Sequence, residues 1–149
     1  MLGVLLAEGC AQFVSPIPPP PHRDRVAASY DATWGALIKA FADENLPIRA
    51  IGRDSGIIAS DDVVTPIGLY ADCGRFGDKL VEGEALVSFT IFVRPNGNDT
   101  DVQINTKMRT QAYRKGSSGK LRPDQVIQCA STGRFESNLL DAVRSMVKQ

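Results

Sequence analysis

Two strand-like runs joined by Asn-Gly constrain this chain more than any other feature. Glu84 to Arg94 (EALVSFTIFVR) is rich in β-branched and aromatic residues, the side chains that suit a pleated, half-buried surface. Asn96-Gly97-Asn98-Asp99 follows, and Asn-Gly between two such runs is the strongest short-range hairpin signal. From Thr100 to Tyr113 the chain returns with Val102, Ile104, Thr106 and Met108 on one face. Asp101, Gln103, Asn105 and Lys107 fall on the other. That alternation describes an antiparallel sheet with one face buried and one wet.

Helices are expected on either side of this hairpin. Trp34, Leu37, Ile38 and Phe41 fall at i, i+3, i+4 and i+7, one apolar face of a helix of about four turns. Asp31 is the expected N-cap and Pro47 marks the stop. A second amphipathic helix runs from about Thr132 to Lys148, burying Phe135, Leu139, Val143 and Met146. Pro47 to Arg53, the turn Asp54-Ser55-Gly56, and Gly56 to Val64 read as a hairpin. The expected fold is α+β: an antiparallel four-stranded sheet with both helices packed on one face, in the order helix, four strands, helix. It occupies residues 26–149 as one domain, since 149 residues leave little for a second.

Composition narrows the function. At 43% apolar and 23% charged the chain can bury a core. Seventeen basic side chains face seventeen acidic ones, whereas gripping nucleic acid needs a basic excess, so no nucleic-acid partner is expected. No apolar run approaches the roughly 18 residues of a spanning helix.

The N-terminus points to an address. Met1 to Cys10 (MLGVLLAEGC) is an apolar stretch running into small residues and a cysteine, and it resembles the end of a bacterial lipoprotein signal peptide. The resemblance implies that residues 1–9 are signal-peptide remnant, that Ala7 and Gly9 precede the cut, and that Cys10 becomes the acylated first residue. Ala11 after the cysteine resembles lipoproteins sorted to the outer membrane, which implies a lipid anchor there and a domain on its periplasmic face. Residues 10–25 then form a tether. Pro16, Pro18, Pro19, Pro20 and Pro21 favour extended polyproline geometry, so Pro16 to Pro21 would span roughly 19 Å.

With Cys10 acylated, Cys73 and Cys129 remain, an even number in a chain bound for an oxidising compartment. A disulfide between them is expected; two buried free thiols are the alternative. No metal or cofactor is implied, since there is no Cys-x-x-Cys and the sole histidine is His22 in the tether.

Ser29-Tyr-Asp-Ala-Thr-Trp34, Leu46-Pro-Ile48 and Arg53-Asp-Ser-Gly56-Ile-Ile58 resemble the opening of small envelope-lipoprotein domains related to the C component of the outer-membrane β-barrel assembly machinery. Cys129-Ala-Ser-Thr-Gly133-x-Phe-Glu136 is similar to the close of related lipoprotein domains. The resemblance implies a helix-and-sheet domain acting through an envelope protein partner and not through catalysis.

Nothing in the residues asks for an enzyme. Asp61 and Asp62 are adjacent and would point to opposite faces of a strand, so they are no carboxylate dyad. A thiol nucleophile would lack a histidine base within the fold. One charge feature stands out: Lys107, Arg109, Arg114, Lys115, Lys120 and Arg122 occur with no acidic residue among them. They are either a patch for an anionic partner or a strand edge kept soluble by cations. Two function classes follow: a membrane-anchored scaffold or accessory subunit, and a lipid or small-molecule binder using a groove between helix and sheet.

Overall fold

The two longest strands organise everything else. The structure, a computed structural model, describes residues 12–115 and 118–148, the side chains of 114, 115, 121 and 122 excepted. β9 (Glu84–Asn96) and β10 (Asp99–Lys115) pair antiparallel from Asp99↔Asn96 to Arg109↔Leu86, turning at Gly97-Asn98 as the Asn-Gly signal requires. At 13 and 17 residues each is long enough to hold two partners along its free edge. β9 takes β4 (Ile57–Ser60) at one end and β5 (Val63–Pro66) at the other. β10 takes β2 (His22–Val26) and then β11 (Leu121–Ser131). β3 (Ile48–Gly52) pairs with β4, and β6 (Ala71–Asp72) with β11. The sheet is therefore eight-stranded and not four-stranded.

The breaks and turns around the added strands have identifiable causes. The run Gly56 to Val64 is split by Asp61-Asp62, and Ser60 Oγ accepts the Phe89 N–H at 3.0 Å, so a ladder donor stays satisfied at the break. Gly56 allows the preceding turn: its φ is 69°, and a Cβ there would lie 2.1 Å from the Val93 carbonyl oxygen. β11 carries Pro123, opposite Tyr113, where the register slips next to Gln111, as a proline inside a ladder demands. The sheet also begins earlier than the tether boundary at residue 25 implies. β2 lies within that segment, with Arg25 Nε donating to Asp101 at 2.8 Å and Arg23 Nε to Gln103 at 3.0 Å.

Both helices cover the same sheet face. α1 (Tyr30–Asp43) buries Trp34, Leu37, Ala40 and Phe41, and α2 (Arg134–Val147) buries Leu139, Leu140 and Val143. Phe89 of β9 meets the Phe41 ring edge-on at 5.6 Å and the Phe135 ring at 4.5 Å, so one side chain touches both helices. The N-cap of α1 is Ser29 and not Asp31: Ser29 Oγ accepts the Ala32 N–H at 3.2 Å, while Asp31 sits in the first turn and pairs with Arg53. Arg144 of α2 pairs with Asp24 of β2 and holds its carboxyl below the usual carboxylate range. No helix among the described residues is long and apolar enough to cross a membrane.

Candidate functional site

Cys73 and Cys129 form a disulfide, which removes the free-thiol alternative for this pair. Both are buried, and the bond ties the segment after β6 to the C-terminal end of the last strand. The motif that follows Cys129 closes the sheet onto α2. Ser131 Oγ accepts the Gly133 N–H at 3.0 Å and donates to Glu136 at 2.9 Å, and Thr106 Oγ1 donates to the other Glu136 oxygen at 2.7 Å. Glu136 is thus a buried carboxylate with both oxygens occupied, a structural clasp.

The segment behind Cys10 is not a free stalk. β1 (Phe13–Val14) pairs with β7 (Arg75–Phe76), which pairs with β8 (Lys79–Leu80), making a second sheet of three strands. The Phe13 and Phe76 rings lie 5.0 Å apart, and the Gly77 N–H donates to the Gln12 carbonyl at 3.2 Å. Gly74 makes the approach feasible: its φ is 83°, and a Cβ would fall 2.3 Å from the Val14 carbonyl oxygen. Pro18 to Pro21 then line a cleft with Asn105, Lys107 and Ala130, at the gap between β2 and β11. A polyproline strand fits there because it has no N–H groups to satisfy. Cys10 itself lies outside the described residues.

The six cations are spread along a hairpin. Lys107 is exposed on the sheet face opposite the helices, and Arg109 on the same face bonds Asp62 at 2.6 Å. Arg114, Lys115 and Arg122 occupy the far end of β10–β11, at the pairs Arg114↔Arg122 and Lys115↔Leu121, and their side chains lie outside the described residues. Lys120 is exposed in the turn between. Asp61 approaches Arg49 at 3.9 Å, so the two adjacent aspartates serve different ion pairs. The residue reading missed Arg23, Arg25 and Arg94, which share a hollow with Phe92 on this open face. The available signal was the alternation Arg23-Asp24-Arg25, which assigned to a tether says nothing. The same face exposes Val64, Leu86 and Val126, beside Tyr113.

Between the helices a groove of about 370 Å³ opens onto the sheet. Its floor is Val87, Phe89 and Met108, and its walls include Leu46, Phe135, Leu139 and Met146. Asp43, Glu44, Asn138 and Tyr70 supply the polar groups. The volume lies in the range of small-molecule sites. Trp34 and Phe41 do not line it; it borders the core at Ala40, Phe89 and Leu139. Among the described residues no three potential metal ligands converge. No protein-family model matches the chain, and no curated protein matches it.

Proposed function

We propose that this chain is a non-catalytic lipoprotein domain, anchored through Cys10 in the outer membrane, that serves on the periplasmic side as a scaffold or accessory subunit of an envelope complex. The disulfide Cys73–Cys129 is the observation that carries the reading, because such a bond persists in an oxidising compartment and leaves Cys10 as the remaining thiol for acylation. The likeness of Ser29–Ile58 and Cys129–Glu136 to assembly-machinery lipoproteins supports it. The open sheet face, with Val64, Leu86, Tyr113 and Val126 beside ion-paired arginines such as Arg109 with Asp62 and Arg25 with Asp101, has the mixed apolar and charged character of a protein contact. In cells expressing the protein behind a complete secretory leader, Cys10→Ser should move it from the outer-membrane to the soluble periplasmic fraction. Unchanged fractionation would remove the anchor from the proposal.

A second reading rests on the groove between the helices, which suits a small apolar ligand such as a single acyl chain. Ala142 on α2 lines it and is half-buried, so Ala142→Trp should fill it without emptying the core. If the groove binds ligand, a fluorescent fatty acid will bind the wild type and lose at least tenfold in affinity for the variant. Equal binding by both proteins would exclude the groove.

A further inference from the structure

The stretch that would hold the domain away from a bilayer is folded onto the domain. Gln12 is fixed by the Gly77 N–H, and only residue 11 separates it from Cys10. Two residues of chain reach at most about 7 Å, however they are arranged. An acylated cysteine places its backbone among the headgroups, a zone itself only some 5–8 Å deep. Gln12, and with it the small sheet, must then lie at the membrane surface unless β1 comes away from β7.

That sheet has a face suited to the position. Val14, Arg75 and Leu80 stand side by side across β1, β7 and β8. Val14 is 46% exposed and Leu80 69%, and Ile17 just beyond is 91% exposed. Exposed apolar side chains at the end nearest the anchor are unusual on a water-facing tip. Arg75 and Lys79 are offset by Asp78 and Glu82 close by, so a contact here is apolar with an arginine stem and not a basic patch.

We infer that the β1–β7–β8 sheet seats directly on the phospholipid surface, its Val14–Arg75–Leu80 face turned to the headgroup boundary, so that the domain is held against the membrane and not on a stalk. This rests on the Cys10 anchor proposed above. It can be tested whether or not a cell acylates that residue, because Cys10 is the only thiol outside the disulfide and can be coupled to a maleimide lipid in vesicles.

The full chain carrying Leu80→Trp, so coupled in phosphatidylcholine vesicles, should lose at least half of the added tryptophan emission when the lipid is brominated. The loss should persist in high salt, as an apolar contact requires, and the protein with Trp34 alone should be unquenched. Phe13→Asp in the same background should restore the emission while the circular dichroism of the domain is kept. Equal emission in brominated and plain vesicles, with the protein still attached, overturns the inference. Full quenching in the Phe13→Asp protein overturns it too, since β1 would not be what seats the sheet. A cell-derived protein whose mass shows no acyl group on Cys10 would instead fail the anchor alone.

Discussion

Replacing Trp34 by Ala should lower the unfolding free energy by about 3–5 kcal/mol, the range for a large aromatic removed from a core. Trp34 is 7% exposed on the inner face of α1 and stacks on Tyr30 at a centroid distance of 6.0 Å. Tyr30 is held in turn by its hydroxyl, which donates to the Arg53 carbonyl, so the indole has a fixed neighbour that cannot collapse far into the space it leaves. Against the roughly 5–15 kcal/mol of an ordinary domain, the variant would be barely folded. Urea melts should show a lower midpoint with an unchanged slope. Because Trp34 lies outside the interhelical groove, any ligand affinity should change only as far as the folded fraction does. A loss under about 1 kcal/mol would mean that the side chain behaves as a surface residue and that the core is assigned wrongly.

Elements whose pattern is carried by their own residues were readable from the chain; those that depend on a distant partner were not. β9 and β10 announce themselves through alternation and the Asn-Gly turn, and α1 and α2 through their apolar stripes. β11 has Pro123 and a polar first half, and it exists because the far end of β10 offers an unpaired edge. β2 is three charged residues between His22 and Val26, and it is a strand because Arg23 and Arg25 meet Gln103 and Asp101 across the ladder. The small sheet is made of two-residue strands, too short for any periodicity. Its cause is the glycine at 74 and a phenylalanine pair more than sixty residues apart in sequence. The cysteine pairing followed from parity once Cys10 was set aside, which is why it was legible without geometry. A groove was expected between a helix and the sheet; the one present lies between the two helices, away from Trp34 and Phe41, because its position depends on how α2 packs, and no local pattern encodes that.

Removing the disulfide, by Cys73→Ala with Cys129→Ala, should cost about 4 kcal/mol, and the loss should fall unevenly over the molecule. The two cysteines are 56 positions apart, and closing a loop of that length restricts the unfolded chain by about that amount in the chain-entropy model. Alanine is chosen because a serine hydroxyl at these buried positions would add a desolvation cost of its own. The other fastenings of the 67–83 segment gather around Tyr70 and Ala71: Ala71 is fully buried, and the Tyr70 ring meets Phe135 edge-on at 6.3 Å. β6 contributes two residue pairs to β11, and Thr132 bonds the Tyr70 and Leu69 carbonyls at 3.0 and 2.9 Å. Without the bridge, the small sheet is joined to β11 only through the two residue pairs of β6, and among the described strands β1 pairs with that small sheet alone. Amide exchange in β1, β7 and β8 should therefore rise well before exchange in β9 or α1, since local opening begins where few buried contacts oppose it. Urea melts with and without a phosphine reductant give the total, and a difference below about 1 kcal/mol would contradict the argument. In a reducing compartment the same loss would take a large share of a domain's 5–15 kcal/mol and free the segment next to Cys10 from the fold. If Cys10 is the anchor proposed above, oxidation would then be the step that fixes the domain's distance from it.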